Sequence, residues 1–289
     1  MAALFSIIVT AYNSSSTIQA TLDSISKQTY PNYEVIIVND GSTDNTLDIC
    51  LDYQRAHRNT VVLTQSNSGV AISRRKGVEA ASGDYVLFVD SDDTINPELI
   101  TNLMETVKQY PNVDIIRYQA NLIEDEPYKN HERYNFVDDP STVRTGLDTL
   151  KLWTGSTIKY ALYWLFAFRK SLFSIVPLPN IRCYEDVAYI PLLITSAKQI
   201  VTIGYRAYNY TCNRSDSLTN IDDEENHRKR AKDFYDACIF ATENFAKLPG
   251  ITEEDITFFN KDYDRRLKGF YEYLPEKIRK EFSSLYGIE

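Results

Sequence analysis

The sequence is poor in the residues that mark several common functional classes. It has 3 histidines and 4 cysteines among 289 residues, and no two cysteines form a CxxC pair. This pattern disfavours a metal-binding or disulfide scaffold and predicts free, reduced thiols. The chain has no GxGxxG or GxxxxGK[ST] loop and no GxSxG or HExxH segment. The usual dinucleotide, P-loop, serine-hydrolase and zinc-protease sites therefore lose their main sequence support.

Positive charge and long apolar runs are also scarce. The chain has 31 Lys and Arg against 40 Asp and Glu, a formal net charge of −9. Because nucleic-acid binding depends on basic side chains that neutralise phosphates, this balance predicts that no nucleic acid is bound. No stretch approaches the roughly 18 apolar residues of a membrane span. The apolar N-terminus lacks the basic segment of a signal peptide, so we expect a soluble, cytoplasmic protein.

Short apolar runs and amphipathic segments alternate over the first hundred residues. The runs are rich in β-branched residues and lack polar alternation, which is typical of parallel strands buried on both faces. They are Phe5–Val9, Val35–Val38, Val61–Leu63 and Tyr85–Val89. The segments between them have helical spacing, and Asn96-Pro97-Glu98 is typical of a helix start. The alternation predicts an α/β fold with a Rossmann-like, doubly wound sheet.

The pattern loosens in the second half of the chain. We expect strands at Asp114–Tyr118 and Gln199–Tyr210, and a helix at Asp186–Ala197 that opens with acidic residues. From about residue 221 the composition shifts to charged helix formers with interleaved aromatics. This shift predicts a helical C-terminal appendage over residues 221–289.

Polar residues follow each apolar run, where an open parallel sheet binds its ligands. In an extended segment, residues two apart point the same way, so Asp90 and Asp92 can face one ligand together. Two carboxylates at a strand end suit a divalent cation such as Mn²⁺ or Mg²⁺. The alternative is a solvated turn in which Asp93 or Thr94 caps a helix.

Two further candidates lie at or near the same edge of the predicted sheet. Asp40 ends the second apolar run, and its carboxylate can accept from a base N–H or a ribose hydroxyl; a simple Asp-Gly turn is the alternative. Arg74, with Arg75 and Lys76, supplies cations suited to a diphosphate. The alternative for these basic residues is a solvated helix face.

Four ordered motifs together resemble the nucleotide-sugar half of family 2 glycosyltransferases. They are residues 6–13, residues 34–44, Arg74 with Gly77, and residues 89–93. The resemblance implies the GT-A fold, with a catalytic domain over residues 1–220. Its nucleotide-sugar half would span about 1–110 and its acceptor half about 111–220.

The resemblance also implies roles for individual residues. Thr10 and Tyr12 would line the base, and Asp40 would contact uracil. Arg74 would lie near the base or diphosphate. In the loop after the fourth run, Asp90 would contact the ribose and Ser91 would contact the nucleotide. Asp92, assisted by Asp90, would bind Mn²⁺ or Mg²⁺.

The second half contains one further match. Tyr184-Glu185-Asp186-Val187 resembles the acidic pair of this family, in which one carboxylate is the catalytic base. We expect Asp186 to be that base and Glu185 to orient sugar or acceptor hydroxyls. Helix-start acids are also common for dipole reasons alone, which is the alternative. Arg214 resembles a residue of a looser closing segment that contacts the diphosphate.

The implied function is inverting, metal-dependent transfer of a hexose or N-acetylhexosamine from a UDP-sugar to a glycan or lipid-linked glycan hydroxyl. The expected setting is bacterial surface-polysaccharide or glycoprotein-glycan assembly. One alternative is a GDP- or dTDP-sugar donor, and another is a catalytically silent sugar-nucleotide or glycan-binding module. A nucleotidyltransferase is disfavoured because Ser14-Ser15-Ser16 is not a glycine-rich, basic phosphate loop.

The C-terminal charge pattern leaves two interpretations. Residues 222–225 are acidic and His227-Arg228-Lys229-Arg230 follows, which is typical of a helix with acids at its start. Alternatively, these basic residues contact an anionic membrane surface at its inner face, where a lipid-linked acceptor would lie.

Overall fold

The structure is a computed structural model that describes residues 3–123, 134–135, 142–154, 160–176, 178–211 and 223–287. Its strands are β1 (Phe5–Ala11), β2 (Tyr33–Asn39), β3 (Thr60–Thr64), β4 (Tyr85–Asp90), β5 (Thr94–Ile95), β6 (Ile115–Ile123), β7 (Val143–Arg144), β8 (Phe166–Arg169) and β9 (Ile200–Thr211). Its α-helices are α1 (Ile18–Ser26), α2 (Thr46–Ala56), α3 (Val70–Ala80), α4 (Leu99–Gln109), α5 (Gly146–Thr154), α6 (Glu185–Ser196), α7 (Glu224–Phe245), α8 (Glu253–Glu272) and α9 (Glu276–Tyr286). Short 3₁₀ helices flank β8.

Within these described residues the strands form one mixed sheet. The strand order is β3-β2-β1-β4-β8-β6-β9-β5, and β7 also pairs with β9. The first four strands are parallel to one another. β8 is antiparallel to both β4 and β6, and it joins the parallel part of the sheet to the second half of the chain. The predicted α/β fold is confirmed, and its sheet is mixed because β8 runs antiparallel to its neighbours.

The buried strands lie where the apolar runs predicted them, with one difference. β1, β2 and β4 are almost entirely buried. β3 is instead an edge strand, and its Val61 is 48% exposed. The expectation that all four runs are covered on both faces is therefore wrong for the third run. An edge strand has a neighbour on one side alone, which leaves part of its surface open to solvent.

The fourth helix begins later than its sequence signals predict. Asn96-Pro97-Glu98 indicated a start at Pro97, whereas α4 begins at Leu99. The reason is that Asn96 still belongs to the sheet region: its N–H donates to Ala207 O at 2.8 Å. Its side chain also donates to Arg206 O, and its Oδ1, the atom that would cap the helix, instead accepts from Asn209 Nδ2 at 3.0 Å.

The C-terminal helices pack against the rest of the molecule. Phe234, Phe245, Phe259 and Tyr263 belong to the same buried cluster as the strands of the sheet. The predicted helical C-terminal part is therefore present, and it shares a core with the α/β part. The expected boundary at residues 220–221 lies outside the described residues.

The basic segment of α7 is engaged within the chain. Asp223 caps the helix by accepting from the Asn226 N–H at 2.7 Å. Arg228 pairs with Glu281 of α9 at 2.8 Å, and Lys229 pairs with Glu225 one turn away. The interpretation as a helix with acids at its start is therefore confirmed, and membrane contact stays a prediction.

Two simpler sequence expectations concern cysteines and membrane spans. Cys50, Cys183 and Cys238 are free thiols, as predicted, and Cys212 lies outside the described residues. Among the helices described, none has the length and apolar character needed to cross a bilayer.

Gly77 allows α3 to pack closely on β1, beneath the strand ends. A Cβ atom at this position would lie 2.5 Å from Ile8 Cγ2, closer than two such carbon atoms can pack. We therefore expect Gly77→Ala to lower the free energy of unfolding by about 1–3 kcal/mol, as overpacking does. Urea unfolding monitored by circular dichroism measures this change. The exposed neighbour Glu79, changed to Ala, is the control and should leave stability unchanged; equal stability of the two variants would refute the packing argument.

Candidate active site

The ends of three parallel strands meet at one edge of the sheet. The register places Thr10 of β1 beside Asp90 of β4, and Ala11 beside Asn39 of β2. The next residue, Asp40, donates its N–H to Ala11 O at 2.9 Å. Residues far apart in the sequence are therefore adjacent, as the rule for open parallel sheets predicts.

Side-chain hydrogen bonds connect the loops that follow these strands. Asn13 has a left-handed backbone with φ of 48°, and its Oδ1 accepts from the Thr43 N–H at 2.8 Å. The hydroxyls of Ser14 and Ser91 are 2.7 Å apart. Ser91 thus links the loop after β4 to the loop after β1. Hydrogen bonds within the protein therefore fix the positions of these loops relative to one another.

Asp40 organises the loop between β3 and α3. Its Oδ1 accepts from Gln65 Nε2 and from the Ser68 N–H, each at 2.8 Å. Its Oδ2 accepts from the N–H of Gly69, which has a φ of 90°. Asp40 is 4% exposed, so much of its hydrogen-bonding capacity is used inside the protein. This structural use was not evident from the sequence.

A cavity of about 320 Å³, here called the β1–β2 cavity, opens at this edge. It is lined by Thr10, Ala11, Tyr12, Asp40, Asn67, Gly69, Val70 and Arg182. Tyr12 is 49% exposed, so its ring is available to a ligand. Three of the predicted nucleotide-binding residues therefore line one cavity.

Arg74 is buried between two carboxylates. Its Nη2 lies 2.9 Å from Asp90 Oδ1, and its Nη1 is paired with Glu185 of α6. The guanidinium also lies over the ring of Tyr163, at 4.6 Å from the centroid. The alternative of a solvated helix face is wrong for Arg74, which is 7% exposed, but it holds for Arg75, which is exposed.

The acidic pair lies in the first turn of α6. Glu185 is 5% exposed and is neutralised by Arg74. Asp186 is partly buried, and its Oδ1 accepts from the Val187 N–H at 2.8 Å. Burial, together with the negative charge of Glu185, raises the pKa of Asp186. A carboxylate with a raised pKa is better matched to accept a proton near neutral pH.

A second cavity of about 340 Å³, here called the acidic cavity, surrounds this pair. It is lined by Val70, Arg74, Asp90, Leu162, Tyr163, Trp164, Arg182, Cys183, Tyr184, Glu185, Asp186, Tyr210 and Arg230. It shares Val70 and Arg182 with the β1–β2 cavity. The two cavities therefore adjoin, and the lining of the second one includes three carboxylates and three arginines.

The segment after β4 does not have the extended geometry that the sequence argument assumed. The Asp93 N–H donates to Asp90 O at 3.1 Å, which closes a turn. The premise that places Asp90 and Asp92 on the same side of an extended chain is therefore wrong. Asp90 lines the acidic cavity, whereas Asp92 lines neither of the two cavities and is partly exposed.

Asp93 anchors this turn to β9 rather than capping a helix. Its carboxylate accepts from the Tyr208 hydroxyl and from the Thr211 N–H, each at 2.7 Å. The Thr211 hydroxyl donates to Asp92 O at 3.0 Å. Burial, with the nearby charges of Asp90 and Asp92, raises the pKa of Asp93 to about 8. Contacts with β9, in the second half of the chain, therefore fix the position of the Asp92 backbone.

Arg214 lies outside the described residues, as does the rest of the segment after β9. In the described part of the chain, no group of three or more His, Cys, Asp or Glu side chains is arranged to hold a metal ion. Asp90 and Asp92 are hard oxygen donors of the kind that Mg²⁺ and Mn²⁺ take, and Mg²⁺ commonly uses one or two carboxylates with substrate phosphates and water.

Sequence reasoning missed two basic residues that line the acidic cavity. Arg182 is exposed and borders both cavities. Arg230 of α7 reaches the same cavity, and its Nε donates to the Tyr184 hydroxyl at 3.0 Å. Their closeness depends on how α7 packs on α6, and no local sequence signal reports that packing.

The chain matches known proteins in sequence and in structure. The family described as "Glycosyl transferase family 2" matches residues 6–174. Glycosyltransferase GlyG of Streptococcus pneumoniae is 30% identical over 73% of this chain and 71% of its own length. Poly-beta-1,6-N-acetyl-D-glucosamine synthase of Staphylococcus epidermidis is 35% identical over 40% of this chain and 27% of its own length. The crystal structure of S. aureus TarS residues 1–349 in complex with UDP-GlcNAc has a TM-score of 0.59 at 22% identity, covering 95% of this chain and 82% of that one.

Several relatives are much longer than the matched segment. The chain spans 33%, 48% and 15% of three other bacterial glycosyltransferases that it matches. The structural likeness shows the GT-A fold, and the family match covers more than half of the chain. With the ordered strand ends, the acidic pair and these matches, the chain belongs to family 2 of the glycosyltransferases.

Proposed function

We propose that the chain is an inverting, metal-dependent glycosyltransferase. It moves a hexose or N-acetylhexosamine from a UDP-sugar to a hydroxyl of a glycan acceptor. The observation that carries the proposal is the pair of adjoining cavities: one is lined by Thr10, Tyr12 and Asp40, and the other by Glu185 and Asp186. A donor in the first cavity would direct its sugar across Val70 and Arg182 towards the acidic pair.

Asp186 is the better candidate for the base. Glu185 is tied to Arg74 in a buried ion pair that occupies one oxygen, and burial raises the pKa of Glu185 in spite of that pair. Asp186 lines the cavity with a raised pKa. It would take the proton of the acceptor hydroxyl as that oxygen attacks the anomeric carbon. The bond from that carbon to the diphosphate breaks, and UDP leaves.

The residues after β4 supply oxygen donors of the kind that a divalent cation takes. Asp92 would hold it, and Asp90 would assist although its Oδ1 is paired with Arg74. When bound, Mn²⁺ or Mg²⁺ would neutralise negative charge on the diphosphate leaving group. Asp93 holds the turn that presents Asp92, because its carboxylate binds Tyr208 and Thr211.

The comparisons support the donor and the setting by analogy. TarS was solved with UDP-GlcNAc, and the Staphylococcus epidermidis relative is named as a poly-N-acetylglucosamine synthase. These names favour a UDP-linked donor and a role in bacterial surface-polysaccharide assembly. The intact Arg74, Asp90, Glu185 and Asp186 cluster argues against a catalytically silent binding module.

Transfer itself tests the proposal. Purified chain is mixed with Mn²⁺, each of several UDP-hexoses and UDP-N-acetylhexosamines, and a panel of glycan acceptors, and released UDP is measured. We expect acceptor-dependent UDP release with at least one donor. Tight nucleotide binding without release for every donor and acceptor pair would instead favour a binding module.

Selectivity for uracil tests the proposed role of Asp40. Its Oδ2 accepts from the Gly69 N–H and retains capacity to accept from a pyrimidine N–H. Cytosine lacks that N–H, so we expect CDP to bind more weakly than UDP by about 1–3 kcal/mol, the cost of an unpaired buried group. Calorimetry of both nucleotides with Mn²⁺ measures this difference. Asp40→Asn should reduce it and the exposed Asp23→Asn should not; equal affinity of the unaltered protein for UDP and CDP would refute the role.

A further inference from the structure

The backbone immediately before the acidic pair has an unusual conformation. Tyr184 precedes α6 with φ of 64° and ψ of 21°, in the left-handed region. Besides Asn13, it is the one non-glycine residue with positive φ in the part of the chain described. A bulky side chain rarely adopts this conformation, and it persists where surrounding contacts enforce it. Its peptide leads directly into Glu185 and Asp186.

The enforcing contacts come from the C-terminal helices. The Tyr184 ring meets Phe234 of α7 and Phe270 of α8 edge-on, with centroids 5.1 Å and 5.5 Å away. Phe234 and Phe270 are stacked on each other at 4.2 Å. The Tyr184 hydroxyl accepts from Arg230 Nε at 3.0 Å. The ring is therefore held by two helices and by a charged hydrogen bond.

A second contact fixes the other side of the same turn. Tyr263 of α8 is 2% exposed, and its hydroxyl donates to Val187 O at 2.6 Å. Residues on both sides of the acidic pair are thus bound to α7 and α8. Neither Phe234, Phe270 nor Tyr263 lines the acidic cavity, so they act on it through Tyr184 and Val187.

We propose that α7 and α8 position the acidic pair for transfer, with Tyr184 as the positioning residue. This inference rests on the proposed function, since it assumes that Asp186 is the base. The C-terminal helices then belong to the acceptor side of the active site. Removing the aromatic contact would let the first turn of α6 shift, and a displacement near 1 Å can cost roughly 100-fold in rate.

Phe270→Ala tests the inference from a distance. We expect its kcat to fall by about 10–100-fold, while the dissociation constant of the UDP-sugar donor is unchanged because the β1–β2 cavity is untouched. Hydrogen–deuterium exchange at the amides of residues 185–187 should become faster. Phe258→Ala, on the same helix but partly exposed and away from Tyr184, is the matched control and should match the unaltered protein in all three measurements.

Variants of Tyr184 separate positioning from folding. Tyr184→Gly removes the ring yet accepts a positive φ without strain, so we expect a low kcat in a folded protein. Tyr184→Phe keeps the ring and should retain most of the activity. Phe270→Ala combined with Tyr184→Gly should lose no more than Tyr184→Gly alone, because both act through one contact.

Three results would overturn the inference. One is unaltered exchange at residues 185–187 in Phe270→Ala, and another is faster exchange with unchanged kcat. The third is a loss of donor affinity in proportion to kcat, which indicates general disruption. Failure of the proposed function would differ from all three: Asp186→Asn would then keep the turnover of the unaltered chain.

Discussion

Replacing Asp186 by Asn is expected to remove nearly all transfer while leaving the donor site intact. Loss of a general base typically lowers kcat on the order of 10²–10⁴-fold. The acceptor hydroxyl is too weak an acid to attack unaided, and Asp186 lines the cavity next to the donor site. Because burial raises the pKa of Asp186, kcat of the unaltered protein should fall on acidification at a pH above the usual aspartate range. Deprotonated Asp186 is the active form, so lower pH depletes it.

Steady-state transfer assays and donor calorimetry measure this prediction together. The exposed Asp48, changed to Asn, is the matched control and should alter neither quantity. Glu185→Gln breaks the buried pair with Arg74, so it should reduce stability as well as activity. Near-normal turnover of Asp186→Asn would exclude it as the base.

Replacing Asp92 by Asn is expected to produce the second large effect. Loss of a residue that only hydrogen-bonds a metal ligand typically costs roughly 10–100-fold in metal affinity or activity. Loss of Asp92, a ligand itself, should weaken UDP binding in the presence of Mn²⁺ by at least that factor. The fold should be retained, because Asp92 is partly exposed and the turn around it is held by Asp93. Isothermal calorimetry in the presence of Mn²⁺ measures the dissociation constant of UDP for the unaltered protein and for Asp92→Asn.

Removal of the metal provides the control for Asp92. With a chelator in place of Mn²⁺, the unaltered protein should bind UDP as weakly as Asp92→Asn does. Asp48→Asn should keep its metal-dependent affinity. If the unaltered protein binds UDP equally well with Mn²⁺ and with chelator, Asp92 has no metal-binding role.

The parallel part of the fold was predictable because its signals are local. The runs before Thr10, Asp40 and Asp90 are apolar and short, and polar residues follow each one. The carboxyl ends of parallel strands share one edge, so the convergence of these residues follows from strand direction alone. The edge position of β3 was not predictable, because strand order is not encoded in any one run.

The remainder of the site depends on contacts between distant segments. The pairing of Arg74 with Glu185 joins α3 to α6, and the burial of Asp93 depends on β9. A left-handed backbone is usually indicated in a sequence by glycine. At Tyr184 it is enforced instead by aromatic contacts from α7 and α8, so the sequence does not indicate it. These features are tertiary contacts, and neither the composition of the sequence nor the spacing of its residues predicts them.

The anomeric configuration of the first sugar released tests directly whether the chain inverts the anomeric carbon with Asp186 as the base. A mixture of α-linked UDP-hexoses and UDP-N-acetylhexosamines is incubated with the chain and Mn²⁺, and proton NMR follows the reaction from its start. Water then takes the place of the acceptor hydroxyl at the acidic cavity. We expect the β-anomer to appear first, together with UDP, and Asp186→Asn to produce neither. The α-anomer as first product, or equal turnover by Asp186→Asn, would contradict inverting transfer with Asp186 as the base.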